Sequence, residues 1–142
     1  MSLTIEKSFL TYEWATKLIQ VAIDYAKTLN LSICVAIVDA VGHLIAFARM
    51  DECCLIGIGT AQGKAYTAAR SGLNTREFLA YLNENEVPLA CLQDEKLMLI
   101  AGGLPILYQD KLIGGIGIGG GTGKQDEECA RMALQSLVLF EQ

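Results

Sequence analysis

The sequence predicts an α+β protein in which an antiparallel β-sheet is flanked by helices. The spacing of apolar residues predicts, in chain order, one helix, two strands, two helices, three strands and a last helix. Short turns join the strands as hairpins, whereas a parallel sheet would need a crossover between paired strands. With 142 residues the chain is long enough for one hydrophobic core. We therefore expect residues 1–142 to form a single domain.

The first third of the chain predicts a helix followed by a hairpin. Residues 13–29 carry apolar side chains at helical spacing, with Thr11 as a candidate N-cap and Asn30 as a stop. Residues 33–38 and 43–49 are two apolar runs separated by turn residues. Because both runs are almost uninterrupted, we expect both strands to be central in the sheet.

The remainder predicts three helices and three strands. The helices are expected at residues 58–70, 74–85 and 125–140, and the second begins with the pattern of a capping box. The strands are expected at residues 97–100, 104–108 and 112–118, with a turn between the last two.

Composition excludes several classes of function. The net charge is −5 and no basic run is present, so nucleic acid is not an expected partner. No apolar run approaches the roughly 18 residues of a membrane span, and the first nine residues lack the apolar core of a signal peptide. The apolar fraction of 52% favours a buried subunit interface, and hence an oligomer.

The cysteines indicate the compartment. Their number is odd and they are scattered, which is typical of reduced thiols in a cytoplasmic protein. They are Cys34, Cys53, Cys54, Cys91 and Cys129. The adjacent thiols of Cys53 and Cys54 could bind soft metals or become oxidised.

A glycine-rich run at residues 114–123 has two interpretations. It contains a formal G-x-G-x-x-G, but no second strand follows to complete a dinucleotide site. In the first interpretation the glycines allow close packing, and Thr122 forms a capping box with Gln125. In the second, the backbone amides of Gly119, Gly120, Gly121 and Thr122 hold a ligand carboxylate, with Lys124 beside them.

The single histidine, His43, limits the chemistry. A His-rich zinc site cannot form, and no G-x-S-x-G elbow exists for a serine nucleophile. His43 is either a surface residue at a strand end or an axial ligand to haem iron, for which one imidazole suffices. Lys64, Tyr66 and Thr67 lie among small residues, where the lysine either reaches an anionic ligand or extends to solvent.

Four segments together resemble one known family. They are VDAVGHLIAFARMD at residues 38–51, GKAYTA at 63–68, GGLPI at 102–106 and GGIGIGGGT at 114–122. In this order they are similar to GlcG-like and HbpS-like proteins, which bind or degrade haem, and to the C-terminal domain of some corrinoid adenosyltransferases. The resemblance implies a profilin-like, five-stranded antiparallel sheet with helices on both faces, assembled into dimers and often octamers.

The resemblance also implies a function. The leading expectation is a cytoplasmic, homo-oligomeric domain that binds haem or a related tetrapyrrole, with His43 as the iron ligand and with Lys64, Tyr66, Thr67 and residues 119–122 as further ligand contacts. Two alternatives stay open. One is an enzyme that degrades haem or acts on a small acid, with Lys64 and Asp39 as its polar groups. The other is a non-catalytic accessory subunit of a cobalamin-dependent or related enzyme system.

Overall fold

The computed structural model describes residues 1–140, with side chains through residue 138, so the last two residues of the predicted domain lie outside it. Within this range the chain forms four helices, four strands and one 3₁₀ turn, Leu89–Leu92. In chain order they are α1 (Tyr12–Thr28), β1 (Cys34–Asp39), β2 (Leu44–Arg49), α2 (Ile56–Ser71), α3 (Thr75–Glu84), β3 (Gly103–Tyr108), β4 (Lys111–Gly119) and α4 (Gly123–Phe140).

The sheet is antiparallel throughout, as predicted. Its strand order is β2-β1-β4-β3, so the two predicted hairpins lie side by side and β1 pairs with β4 in the middle. The turn of the second hairpin places Gln109 and Asp110 at positive φ, which polar side chains of this kind tolerate. The α+β class is therefore confirmed.

The predicted fifth strand, residues 97–100, is wrong. The backbone N–H of Met98 donates to the Thr67 hydroxyl at 2.8 Å, and the carbonyl of Ile100 accepts from the Thr75 hydroxyl at 2.7 Å. Because side chains of α2 and α3 satisfy these backbone groups, the segment follows the helices and joins no ladder. The sheet of the described residues accordingly has four strands where five were expected.

The prediction that both strands of the first hairpin are central holds for β1 and is wrong for β2. The side chains of β1 are buried, whereas β2 lies at a sheet edge and exposes both of its ends. The apolar run of β2 has another cause, since Ile45, Ala46 and Ala48 are partly buried against the core that α1 helps to form.

Helices cover both faces of the sheet. On one face, α1 and α4 pack over Val35 and Ile37 of β1 and Ile116 and Ile118 of β4. On the other face, α2 lies over Ala36 and Val38 with its own alanines. None of the helices in residues 1–140 combines the length and the apolar character that a membrane crossing requires.

Alternate glycines of β4 let α2 lie directly on the strand. A Cβ added at Gly117 would overlap the carbonyl oxygen of Ala61, and one at Gly115 would come within 2.5 Å of the carbonyl of Ala65. At Gly119 it would lie 2.6 Å from the hydroxyl of Thr60. The packing interpretation of the glycine run is therefore confirmed, because helix backbone occupies the space of the missing side chains.

A buried ion pair ties α2 to α4. The ammonium of Lys64 donates to Asp126 Oδ2 at 2.9 Å and to the carbonyl of Ile118 at 2.8 Å. The other oxygen of Asp126 accepts from the N–H of Gly121 at 2.8 Å. Both side chains are almost fully buried. Burial raises the pKa of Asp126 above its ordinary value, while Lys64 and the Gly121 N–H act in the opposite direction.

Two glycine-to-alanine variants should have opposite effects on stability. Gly117→Ala is expected to lower the free energy of unfolding by roughly 3 kcal/mol, because the new methyl group displaces the backbone of α2. Gly59→Ala serves as the matched control, since a Cβ there meets nothing within 4 Å and alanine should raise the free energy of unfolding by about 1 kcal/mol. Urea unfolding measures both, and equal midpoints would contradict the packing argument.

Substitution of Lys64 in the buried pair should lower the free energy of unfolding by an amount that depends on pH. Lys64→Met leaves an unpaired buried carboxyl and is expected to destabilise the protein by about 3–5 kcal/mol at neutral pH. Without the ammonium the pKa of Asp126 rises further in the folded state, so the folded variant binds the proton more tightly than the unfolded chain. Its deficit relative to wild type should therefore shrink as the pH falls from about 7 towards about 4.

Urea unfolding of both proteins across this pH range measures the deficit. The double variant Lys64→Met/Asp126→Leu should recover part of the loss, because no charge is then left without a partner. A deficit that stays constant with pH would argue against an uncompensated carboxylate as its cause.

Candidate functional site

His43 lies at the tip of the first hairpin, where Asp39 organises the turn. One oxygen of the Asp39 carboxylate accepts from the N–H groups of Val41 and His43, at 2.9 and 3.0 Å. Gly42 adopts φ +96° between them, and a Cβ there would lie 2.8 Å from the ring of Tyr66. Asp39 and Gly42 thus fix the position of the backbone that carries His43.

The imidazole of His43 is accessible and lies near the carboxylate that organises the turn. Its Nδ1 lies 3.6 Å from the second oxygen of Asp39, and 81% of the side chain is exposed. This distance is longer than a hydrogen bond, so the carboxylate lies near one ring nitrogen, and the exposed imidazole is accessible to a ligand.

A cleft of about 440 Å³ separates this hairpin from α2. His43 and Leu44 line one side of it, and Lys96 lies at its rim. The opposite wall is a single face of α2, in which residues recur at helical spacing. These residues are Gly59, Gln62, Gly63 and Tyr66.

Tyr66 joins the cleft to a charged rim. Its hydroxyl donates to Asp94 Oδ2 at 2.6 Å, and the cationic groups of Arg70 and Lys96 lie 5.3 and 5.6 Å from the centre of its ring. The hydrogen bond to Asp94 raises the pKa of Tyr66 and lowers the pKa of Asp94. Tyr66 therefore remains a neutral phenol at physiological pH, beside two cations that could attract an anionic group.

Lys64 and Thr67 do not line this cleft. Lys64 is committed to its ion pair with Asp126 beneath α2. The Thr67 hydroxyl donates to the carbonyl of Gly63 and accepts from the N–H of Met98, and its side chain is fully buried. In this conformation both residues serve packing, and a role in ligand binding would require their hydrogen bonds to break.

The predicted contacts at residues 119–122 lie at the other end of the sheet from His43. In the register of β1 and β4, Asp39 pairs with Gly114 and Cys34 pairs with Gly119. Five residues of β-strand span about 17 Å. The glycine loop therefore lies at the opposite end of β4 from the turn that carries His43.

Several amides of the glycine loop already have partners. The N–H of Gly121 donates to Asp126, and the N–H of Thr122 donates to Gln125 Oε1 at 3.0 Å. Gln125 in turn donates its N–H to the Thr122 hydroxyl at 3.2 Å, so the predicted capping box is confirmed. These groups satisfy the start of α4 and leave less capacity for an external carboxylate.

Sequence reasoning missed Gly59, Gln62 and Lys96. The first two had a signal, because they share with Tyr66 the spacing of one helix face. Lys96 had no signal in the sequence, since its approach to the Tyr66 ring depends on the path of the loop before β3.

Among residues 1–140, no group of three or more histidine, cysteine or acidic side chains could hold a metal ion. A haem-type group, which needs one imidazole, is compatible with this set of residues.

Comparisons with known proteins agree with the resemblance noted in the sequence. Protein GlcG of Escherichia coli strain K12 is 32% identical over 112 residues, covering 79% of this chain and 82% of GlcG. HbpS of Streptomyces reticuli, solved as a double mutant, superposes with a TM-score of 0.86 at 27% identity over 96% of this chain and 92% of HbpS. The haem complex of PduOC superposes with a TM-score of 0.83 at 28% identity, over 90% of this chain and 94% of PduOC.

The family model described as "Haem degrading protein HbpS-like" matches residues 10–135, which include every element from α1 to β4 and most of α4. The chain therefore belongs to the HbpS-like family.

Proposed function

We propose that the cleft between the first hairpin and α2 binds haem or a related tetrapyrrole, with His43 as the axial ligand of the metal. The observation that carries the proposal is the position of His43. The one imidazole of the chain lies at this cleft, exposed and with a carboxylate 3.6 Å from its Nδ1. When bound, the haem iron would supply the redox and ligand-binding chemistry.

The presence of glycine at position 59 supports the proposal that a flat ligand lies against α2. Glycine in a helix interior costs about 1 kcal/mol relative to alanine, and such a cost usually has a reason. Packing within the chain supplies none, because a Cβ at Gly59 would have open space around it. The close approach of a planar ring to the helix backbone would supply one.

The cleft also matches the apolar ring and the anionic propionates of haem. Leu44, which is half exposed in the isolated chain, gives the cleft apolar surface next to His43. Arg70 and Lys96 lie beside the ring of Tyr66, and Lys96 also lines the cleft. We infer that these two cations, in place of the buried Lys64, face the propionates.

The comparisons favour the same class of ligand. PduOC forms a haem complex, and the family description refers to haem degradation. These statements concern the relatives, and the assignment of individual residues here depends on the geometry of this chain alone.

We also propose that the protein self-associates, as a dimer or a larger assembly up to an octamer. Several large apolar side chains of the N-terminal segment are exposed, including Leu3, Ile5 and Phe9. The cleft itself is open to one side, so a second copy would shield a bound ring more completely. Sedimentation of the purified protein with and without haemin tests this point.

His43→Ala should remove the axial ligand. On titration with haemin, the wild type is expected to show a saturable Soret shift, and the variant to lose it or to bind at least about tenfold more weakly. Cys54→Ser and Cys91→Ser are the matched controls, because these exposed thiols are the competing ligands. Loss of the shift in a cysteine variant, with His43→Ala unchanged, would overturn the assignment.

The same titration, followed by addition of a reductant, distinguishes a haem-binding protein from a haem-degrading enzyme and from an accessory subunit. Turnover of bound haem would identify an enzyme. If the folded wild-type protein shows no Soret shift at all, the result would contradict haem binding and favour the accessory-subunit alternative.

Two lysine variants locate the carboxylate end of the ligand. Lys96→Met should weaken haemin binding roughly two- to fivefold, and the loss should diminish at high salt, because an exposed ion pair is screened. Lys124→Met removes a cation beside the glycine loop and should leave the affinity unchanged. Weaker binding in Lys124→Met, with Lys96→Met unchanged, would indicate that the ligand binds at the other end of β4.

A further inference from the structure

Three of the five cysteines lie together where β1 begins. The sulfurs of Cys34 and Cys53 lie 3.3 Å apart, and both side chains are buried. Cys54, the next residue, is exposed. The remaining two lie elsewhere, with Cys91 exposed in the 3₁₀ turn and Cys129 buried in α4.

Two glycines border the sulfur pair. A Cβ at Gly57 would lie 3.0 Å from Cys53 Sγ and 3.3 Å from Cys34 Sγ, and one at Gly120 would lie 3.0 Å from Cys53 Sγ. Because neither glycine has a side chain, the two sulfurs pack directly against the backbone and lie side by side. A disulfide bond requires a separation of about 2.05 Å, so the two atoms must approach by about 1.3 Å.

We propose that Cys34 and Cys53 form a disulfide bond, and that the exposed Cys54 is the entry thiol through which a small-molecule disulfide oxidises them. This bond would link the first residue of β1 to the turn that precedes α2. The inference is independent of haem, since the sulfurs lie at the end of β1 remote from His43.

The entry role follows from the different exposure of the three thiols. Burial raises the pKa of Cys53 to about 12 and also raises the pKa of Cys34. Because both sulfurs are buried, a dissolved disulfide reaches neither of them, and the oxidation has to begin at an accessible thiol. Cys54 is accessible to a solute and is adjacent to Cys53 in the chain.

Three exchanges complete the oxidation. The Cys54 thiolate attacks the disulfide RSSR, forming Cys54–S–S–R and releasing RS⁻. The Cys53 thiol then loses its proton to the released RS⁻, and its sulfur attacks Cys54 Sγ, which releases the second RS⁻ and forms a strained bond between adjacent residues. Finally the Cys34 thiol loses its proton to this second RS⁻, and its sulfur attacks Cys53 Sγ and returns Cys54 to the thiolate.

The atoms and electrons balance over these steps. Two protein thiols are oxidised to one disulfide, and RSSR is reduced to two RSH that carry the protons of Cys34 and Cys53. The last exchange is favourable because it replaces a strained bond, which is the more oxidising one, by a bond between residues already in contact.

The disulfide should stabilise the fold measurably. It closes a loop of about 20 residues that contains the whole first hairpin, which restricts the unfolded chain. For a chain of this length the expected gain in melting temperature is roughly 5–10 °C.

The test uses the intact protein without haemin. Wild type, Cys54→Ser and the control Cys91→Ser are incubated with oxidised glutathione, quenched with acid and alkylated, and the peptides are mapped by mass spectrometry without reduction. We expect a Cys34–Cys53 linked peptide in wild type and Cys91→Ser, formed at least tenfold more slowly in Cys54→Ser. The oxidised wild type should show the higher melting temperature.

Two results would overturn the proposal. If glutathione stays on Cys54 while Cys34 and Cys53 are both alkylated, the buried pair does not form the bond. If Cys54→Ser forms the link as fast as wild type, Cys54 is not the entry thiol. In Cys34→Ala the reaction should stop at a species that includes Cys54. Should that variant fail to fold, the wild-type peptide map still decides whether the bond forms.

Discussion

The near-contact between α2 and β4 is the constraint on which the remaining structure depends. A helix that lies on strand backbone at Gly115, Gly117 and Gly119 must present small residues of its own, and Ala61 and Ala65 supply them. Such contacts leave little freedom to shift the helix, because interiors are packed at nearly crystalline density. The position of α2 in turn determines where its outer face lies relative to the first hairpin.

The two faces of α2 consequently have different roles. The inner face is close-packed and contains the Lys64 ion pair, whose energetic importance lies in leaving no buried charge unpaired. The outer face contributes Gly59 and Tyr66 to the cleft. Lys64 therefore lies on the inner face of α2, although a lysine among small residues would not usually be buried. The reason is a partner inside the protein, Asp126, which is distant along the chain.

The sequence predicted the fold better than it predicted the site. Periodicity located all four helices and four of the five proposed strands, since amphipathic spacing is a local property. It failed at residues 97–100, where the hydroxyls of Thr67 and Thr75 capture backbone groups that a strand would pair with. No local pattern reports such a long-range hydrogen bond.

The candidate site depended even more on long-range geometry. His43 and Tyr66, which were predicted together, line one cleft, but the glycine loop had been grouped with them although the strand register separates the two regions. Sequence motifs show which residues are unusual. Whether unusual residues share a site depends on register and on the crossing of α2 over the sheet, and neither quantity is local.

The location of the cleft has a thermodynamic consequence for assembly. The cleft lies beside β2, an edge strand, and it is open on the side where Leu44 is half exposed. If a second copy covers that side, a ligand in the cleft contacts both subunits and binds the assembled form more tightly than the free chain. Linkage is reciprocal, so assembly then strengthens ligand binding by the same factor that the ligand strengthens assembly. On that condition an isolated chain would bind its ligand more weakly than the oligomer even with His43 and Tyr66 unchanged, because the neighbour would supply one wall of the site.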